Sequence, residues 1–358
     1  MSDRQAVGGT TVTVPGRVNL IGEHTDYNGG WVLPATLSVC LTVDLTPRSD
    51  DWVHVRAHLY DDVAIRTIDD AATGDWSDPV IGAVREAIAL NLLTGGADVV
   101  VTSSIPAGSG LSSSAALIVA ILKAARSLGM ADGATQAIDD TLIARAARRV
   151  ENEYLGVPCG IMDQMAISLA APGQAMALDT GSLDYRLVSL PKTHDFVVIH
   201  SGHTRRLTDG RYAARREECA AAERAFGTDS LCLLDPEVIS AAQNLDATLR
   251  RRALHCATEH LRVLAAVDAL AASDMAQMGA LMNASHTSMR DDFAITIPAI
   301  DQLVADAIAM GATGARMTGG GFGGCIVACV AREKRRDWQE ALLDAHPEAR
   351  FIDAIVPS

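Results

Sequence analysis

Alternating apolar and polar residues near the start of the chain predict β-strands at residues 11–14, 39–46 and 53–58. Apolar residues then recur at helical spacing between residues 79 and 93, which predicts an amphipathic helix. A β-branched run at residues 97–102 predicts a further strand. The first part of the chain therefore has a mixed α/β pattern.

Helical spacing dominates the later part of the chain. The predicted elements there are helices at 141–154, 161–169, 212–226, 249–270 and 275–288 and a strand at 195–200. Gly156 and Pro158 lie between the first two of these helices, and this break places Asp163 near a helix start.

A turn at Pro172–Gly173, followed by a renewed strand pattern, suggests a domain boundary. The predicted domains are residues 1–190 and residues 191–358. No internal repeat is visible in the sequence.

Small residues join the strand at 97–102 to a helix predicted at 115–128, with Gly129 as its C-cap. The joining run is Pro106–Ala116 (PAGSGLSSSAA), and its glycines, hydroxyls and helix N-terminus suit phosphate binding. The run is neither a P-loop, since no Gly-Lys-Ser/Thr follows, nor a dinucleotide fingerprint, since Ser113 replaces the third glycine. Close packing of a strand on a helix is the alternative explanation.

Composition limits the partners of the chain. Its 358 residues are 49% hydrophobic and carry a formal net charge of −14, which disfavours nucleic acid and anionic membranes as partners. Seven scattered cysteines without Cys-x-x-Cys spacing are expected to be reduced thiols. The absence of an apolar leader and of a long apolar span predicts a cytoplasmic protein.

Three further segments combine polar residues and glycines. They are Pro15–Gly30 (PGRVNLIGEHTDYNGG), Glu151–Gln164 (ENEYLGVPCGIMDQ) and Gly314–Cys325 (GARMTGGGFGGC). The first suggests a binding site, with a solvated surface loop as the alternative. The glycines of the last allow either a close approach of the backbone or a sharp bend.

The acids of the middle segment suggest metal-assisted phosphoryl transfer. If Glu151 and one loop serine reached the same Mg²⁺, the metal would bridge nucleotide phosphates. Asp163 would then face an acceptor hydroxyl. The alternative for Asp163 is a helix cap.

With these motifs in this order, the chain resembles the GHMP kinases and, within them, the galactokinases. Gly16–Tyr27 is similar to the galactokinase signature and Cys159–Gln164 to the galactokinase catalytic segment. Gly210–Cys219 and Ser285–Asp292 resemble later galactokinase stretches. The resemblance implies an α+β, two-lobed GHMP kinase fold, with a ribosomal-protein-S5-like N-terminal lobe and a ferredoxin-like C-terminal lobe.

The resemblance also implies roles for single residues. Asp163 and Arg17 would be catalytic, with Asp163 accepting the hydroxyl proton and Arg17 stabilising the developing negative charge. The other implied roles are sugar binding by Glu23, His24, Asp26, Gly160 and Tyr212, ATP binding by Gly108, Ser109, Gly110, Leu111, Ser112, Ser113, Ser114 and Trp76, and Mg²⁺ binding by Ser114 and Glu151. Asp26 and Tyr212 are the candidates for discriminating galactose from glucose.

The implied reaction transfers the γ-phosphoryl group of ATP to the C1 hydroxyl of α-D-galactose, with Mg²⁺ as cofactor. The protein is expected to be a monomer. The alternatives are a GHMP kinase for galacturonate, arabinose or N-acetylgalactosamine, and a non-catalytic galactose sensor. Departures from the galactokinase pattern at Thr36–Thr73 and Ala294–Pro298 bear on substrate preference, whereas the departure after Trp76 bears on the assignment of that residue to ATP. For Trp76, core packing is the alternative.

Overall fold

The computed structural model describes residues 8–106, 108–131, 138–204 and 210–357. Across these ranges the strands are β1 (Thr10–Asn19), β2 (Trp31–Val32), β3 (Pro34–Pro47), β4 (Trp52–Ala57), β5 (Ala64–Thr67), β6 (Ala97–Ser103), β7 (Gln174–Asp179), β8 (Tyr185–Ser189), β9 (His194–His200), β10 (Gly314–Thr318), β11 (Cys325–Ala331) and β12 (Arg350–Ile355). The α-helices are α1 (Asp78–Ala89), α2 (Ser113–Ala131), α3 (Asp140–Arg149), α4 (Met162–Leu169), α5 (Arg211–Phe226), α6 (Pro236–Ala241), α7 (Ala247–Ala271), α8 (Met275–Asp291), α9 (Pro298–Ala309) and α10 (Arg335–Ala345). Shorter helical turns are a π-helix at Val150–Tyr154 and 3₁₀ turns at Leu231–Leu233 and Arg332–Lys334.

Contacts divide the chain into two compact units. The first unit comprises residues up to Gly16 together with 39–105 and 112–169. The second unit comprises residues 17–38, 106–111 and those from Ala170 onward. The domain boundary near residue 190 stays a prediction, and the contacts group residues 170–190 with the second unit.

The first unit combines a sheet with helices α1 to α4. In it β6 pairs parallel with β4 and antiparallel with β3, while β5 pairs antiparallel with β4. Helix α2 is apolar along most of its length, and Ile118, Ile121 and Leu122 are fully buried. The prediction that Gly129 ends this helix is wrong, because α2 continues to Ala131. A single glycine costs a helix only about 1 kcal/mol, which the burial of α2 offsets.

The predicted helix at 141–154 is two elements. Asp139 caps α3 by accepting a hydrogen bond from the Leu142 amide at 2.7 Å. The chain then widens into the π-helix, where the Leu155 amide donates to the Val150 carbonyl five residues back. Gly156, with φ of 65°, ends this turn, so the predicted break before α4 is confirmed.

The second unit is built on a four-stranded antiparallel sheet in the order β10-β11-β9-β12. Nearly every residue of β9 and β11 is buried. The core of this unit includes Met289 on α8, Phe293 just after that helix and Trp338 on α10. In the part of the chain that the structure describes, no helix combines the length and the apolar character needed to cross a bilayer.

Candidate active site

The predicted catalytic carboxylate lies in the first unit, in the first turn of α4. Asp163 accepts a hydrogen bond from the hydroxyl of Ser112, which directly precedes α2. Ser112 has a φ of 64°, and its carbonyl accepts the Ala116 amide at 2.9 Å as α2 begins. Ser112, which is predicted to bind ATP, is therefore hydrogen-bonded to Asp163, the predicted catalytic acid.

Glu151 lies on the π-helix and is buried. Its carboxylate accepts hydrogen bonds from Ser114, from the Gln164 side-chain amide and from the Cys159 thiol at 3.4 Å. Burial, and then the charge of Asp163, raises the pKa of Glu151, although these hydrogen bonds act in the opposite direction. The structure thus gathers Ser112, Ser114, Glu151 and Asp163 into one cluster of oxygen atoms.

This cluster suits Mg²⁺, which prefers oxygen ligands and keeps several water molecules. Among the described residues no group of three or more His, Cys, Asp or Glu side chains has metal-binding geometry, so Glu151 and Ser114 would need phosphate oxygens and water to complete the shell. Gln164 Oε1 is buried without a donor among the described residues, which suits a water bound to the cation. A cation would also relieve the repulsion between the two carboxylates.

Arg17 lies on β1 in the second unit and is 6% exposed. Its guanidinium donates to the Gly110 carbonyl at 2.8 Å, and its amide donates to the Leu111 carbonyl at 3.5 Å. Gly108 and Gly110 have φ values of 70° and 77°, a backbone conformation that favours glycine. The first part of the predicted phosphate loop is therefore fixed against the predicted catalytic arginine.

The C-terminal glycine motif approaches the same part of the loop. A Cβ on Gly319 would lie 3.5 Å from the Gly110 carbonyl oxygen, and one on Gly324 would lie 3.4 Å from that of Ser109. The Cys325 thiol contacts the Ser109 carbonyl oxygen at 3.3 Å. The Ser109 hydroxyl itself donates to the Pro106 carbonyl at 2.7 Å, within the loop.

Glu23 is buried in the second unit and is held through one carboxylate oxygen. Its Oε1 accepts the Gly319 amide at 2.9 Å, the Thr318 hydroxyl at 3.0 Å and Nη1 of Arg316 at 3.3 Å. Among the described residues no hydrogen bond ends on Oε2, which leaves this atom to accept from a ligand hydroxyl.

His24, the residue after Glu23, packs among aromatic rings. It has a φ of 61°, and its Nδ1 lies 2.6 Å from the hydroxyl of Tyr27. The His24 ring also lies 5.3 Å from that of Tyr212, at the start of α5, and 4.8 Å from that of Phe293. Burial raises the pKa of Tyr27, so its phenol keeps its proton. The structure thus places the ring of His24, the residue after Glu23, against that of Tyr212.

The remaining predicted residues are divided between the two units, with Asp26 in the second unit and Trp76, Ser113 and Gly160 in the first. Asp26 is half-buried in the signature segment, Gly160 is buried just before α4, and Ser113 is exposed as the first residue of α2. Trp76 stacks on Tyr60, with ring centroids 4.4 Å apart and an interplanar angle of 16°. The roles of these residues stay predictions.

Sequence reasoning missed the side chains that support Glu23. Arg316 lies inside the Gly314–Cys325 motif, where being the only charged residue was the available signal. Glu259 accepts the Gly22 amide at 2.9 Å, yet lies 237 residues further along the chain, so no sequence spacing reveals it.

Comparison with known proteins decides the family. The model described as the galactokinase galactose-binding signature matches residues 4–45, and those of the N-terminal and C-terminal domains of GHMP kinases match residues 79–170 and 266–347. The crystal structure of Lactococcus lactis galactokinase complexed with galactose is 31% identical, with a TM-score of 0.91 over 99% of this chain and 95% of that chain. The chain belongs to the galactokinase family.

More distant relatives share the fold of the galactokinase family. Mevalonate kinase of Methanococcus jannaschii is 18% identical with a TM-score of 0.68, over 98% of this chain and 99% of that chain. Phosphomevalonate kinase of Streptococcus pneumoniae is 13% identical with a TM-score of 0.70, over 96% of this chain and 99% of that chain. The predicted family, the two-lobed α+β GHMP kinase fold and the class of ATP-dependent sugar kinase are therefore confirmed.

Proposed function

We propose that the protein transfers the γ-phosphoryl group of ATP to the C1 hydroxyl of α-D-galactose, giving galactose 1-phosphate and ADP. The observation that carries the proposal is the Asp163 carboxylate, oriented by Ser112 at the start of α4 in a chain with the galactose-binding signature. Membership of the galactokinase family supports the same reaction. The cytoplasmic location and the monomeric state stay predictions.

Asp163 and Arg17 carry the chemistry in this proposal. Asp163 accepts the proton of the attacking hydroxyl, and the fixed charge of Arg17 stabilises the negative charge on the transferring group. A loose phosphoryl-transfer transition state needs little early deprotonation, so holding the hydroxyl in line contributes much of the rate. The bond from Arg17 to Gly110 fixes the guanidinium for this task.

The sugar is held by the signature segment. Glu23 accepts a sugar hydroxyl through Oε2, since its Oε1 is occupied by protein donors. His24 and Gly160 contribute further contacts. Asp26 and Tyr212, both half-buried, read the hydroxyl that separates galactose from glucose, because a misplaced hydroxyl would lose its hydrogen bonds to these side chains.

ATP is held by the loop from Gly108 to Ser114. Backbone amides of this loop and the hydroxyls at the N-terminus of α2 donate to phosphate oxygens, and Trp76 packs beside the base. Glu151 and Ser114 would hold Mg²⁺, which would neutralise phosphate charge. Burial of Glu151 and its bond from Ser114 pre-position both groups.

ADP release with ATP and Mg²⁺ tests the proposal across galactose, glucose, 2-deoxygalactose, arabinose, galacturonate and N-acetylgalactosamine. We expect the highest kcat/KM with galactose. Asp163→Asn should lower kcat by about a hundredfold or more because general-base catalysis is lost, while galactose binding, measured by calorimetry, should survive.

Three other outcomes would redirect the proposal. Preference for another sugar would retain the chemistry and transfer the specificity to that sugar. Galactose binding without turnover of any sugar would instead identify a sensor. Near-normal turnover of Asp163→Asn would remove this residue from the catalytic role.

A further inference from the structure

A network of buried charges lies beneath the sugar signature in the second unit. Arg316, on β10, and Glu259, on α7, are both fully buried. Arg316 Nη1 lies 3.3 Å from Glu23 Oε1, and its Nη2 lies 3.7 Å from Glu259 Oε1. Arg262 donates to the other oxygen of Glu259 at 2.7 Å. The negative charges of two carboxylates are therefore compensated by the positive charges of two guanidinium groups.

Glu259 fixes the backbone of the signature. Its Oε1 accepts the Gly22 amide at 2.9 Å and the Glu23 amide at 3.3 Å. The same oxygen accepts the Ser285 hydroxyl at 2.6 Å, and Ser285 in turn accepts Nε of Arg316 at 3.1 Å. Glu259 thus holds the main chain of Glu23 while Arg316 holds its side chain.

Stability alone is a weak reason for such a network. Buried ion pairs lose much of their Coulombic gain to desolvation, and apolar residues of similar volume often serve as well. Burial acting alone would raise the pKa of Glu259, yet Arg262 and Arg316 hold it well below its usual range. The contacts of the network converge on Gly22 and Glu23, directly before the left-handed residue His24.

We propose that Arg316 and Glu259 are positioning residues for sugar binding, which act by fixing Glu23 so that its Oε2 faces the sugar. Arg316 and the donors from Thr318 and Gly319 engage Oε1 and orient the carboxylate. Glu259 sets the backbone from which that carboxylate projects. This inference rests on the proposed sugar-kinase function.

Glu259→Gln tests the inference because it keeps the side-chain shape and an acceptor oxygen but removes the charge. We expect the galactose KM and the calorimetric galactose Kd to rise about tenfold, the effect of weakening hydrogen bonds to a charged group. The KM for ATP should stay within about twofold. The residues hydrogen-bonded to Glu259 belong to the sugar signature and to helices α7 and α8, not to the predicted phosphate loop.

A double-mutant cycle with Glu23→Gln identifies the route of the effect. If Glu259 acts through the Glu23 carboxylate, adding Glu259→Gln to Glu23→Gln should raise the galactose Kd less than about twofold further. An undiminished tenfold rise in that background would overturn the proposed route.

Asp195→Asn is the matched control. Asp195 is buried in the same unit and paired with Arg332 at 2.9 Å and Arg335 at 3.4 Å. Its loss should lower Tm without changing the galactose Kd. A Glu259→Gln variant that lowers Tm and leaves the galactose Kd unchanged would make the network merely structural.

Ser285→Ala covers the case in which Glu259→Gln fails to fold, since it removes only one hydroxyl from Glu259 and Arg316. A smaller but selective rise in galactose Kd is expected, and no rise would reject the inference. Wild-type protein that binds no sugar rejects the proposed function itself. Wild-type protein that binds galactose while these folded variants bind it equally well rejects only the positioning role.

Discussion

Ser112 links the predicted phosphate loop to the predicted catalytic acid. Its hydroxyl donates to Asp163, and Ser112→Ala removes that donor while keeping the Cβ, so the strain of the left-handed backbone is unchanged. A hydrogen bond to a charged group contributes about 1.5–3 kcal/mol. We therefore expect kcat to fall by about tenfold to a hundredfold with little change in galactose KM, measured by steady-state kinetics.

Ser127→Ala serves as the control for this substitution. Ser127 is exposed on the same helix, and its hydroxyl donates to the Lys123 carbonyl at 2.9 Å. Its kinetics should match those of the wild type. If Ser112→Ala raises the ATP KM and leaves kcat intact, the hydroxyl serves the nucleotide instead of Asp163.

Single residues show how far sequence reasoning reaches at this scale. Asp163 and Glu23 became candidates because each lies in a compact motif that resembles a galactokinase segment. The partners of Glu23 were not identified, since Glu259 and Arg316 lie 236 and 293 residues further along the chain. Side-chain hydrogen bonds across such distances depend on tertiary packing, which no local spacing encodes.

Among the elements, the π-helix at Val150–Tyr154 bears most directly on the proposed metal site, because it carries Glu151. It packs on α1 at Gly82, where a Cβ would lie 2.6 Å from both Val150 Cγ1 and Tyr154 Cδ1. Gly82→Ala should displace this turn, destabilise the protein by about 1–3 kcal/mol and weaken the response to Mg²⁺. Thermal denaturation and kinetics over a range of Mg²⁺ concentrations measure both effects.

Val150→Ala provides a second-site check on Gly82→Ala. It removes Val150 Cγ1, one of the two atoms with which the new methyl group would clash. The double variant should therefore have a higher free energy of unfolding than the sum of the two single effects predicts. Strict additivity, or an unchanged Tm in Gly82→Ala, would show that the turn accommodates the methyl group without moving Glu151.

Helix periodicity predicted that these elements exist, but not how they end. The predicted helix at 141–154 covers both α3 and the π-helix, because side-chain spacing does not reveal a change of hydrogen-bond register. Strand β11 (Cys325–Ala331) was not predicted, because a short, uniformly apolar run has no alternation to distinguish it from a helix segment. Its place in the sheet is set by pairing with β9 and β10.

On the scale of the whole molecule, buried neutral histidines link folding to pH. Burial lowers the pKa of His255 and of His286 from 6.5 to about 4, although Glu259 and Asp301, respectively, oppose the change. The Met317 amide donates to Nδ1 of His286 at 3.3 Å, a bond that requires this nitrogen to be unprotonated. Protonation of the folded state is therefore unfavourable.

Stability should consequently fall as the pH drops from 6.5 towards 4. In this window the unfolded chain binds protons that the folded chain excludes, so each histidine contributes up to about 3 kcal/mol that is present above pH 6.5 and lost towards pH 4. The lowered pKa of Glu259 adds a further loss only below the ordinary glutamate range. Urea unfolding at pH 5 and pH 7.5 measures the difference.

His286→Gln should reduce this pH dependence, because a glutamine oxygen can accept the Met317 amide and does not titrate in this range. The variant should lose less stability than the wild type between pH 7.5 and pH 5. His58→Gln, at an exposed position, should leave the wild-type dependence unchanged. If His286→Gln and the wild type lose the same free energy of unfolding over this interval, proton exclusion by His286 is not a source of the acid sensitivity, and the loss must arise from other titrating groups.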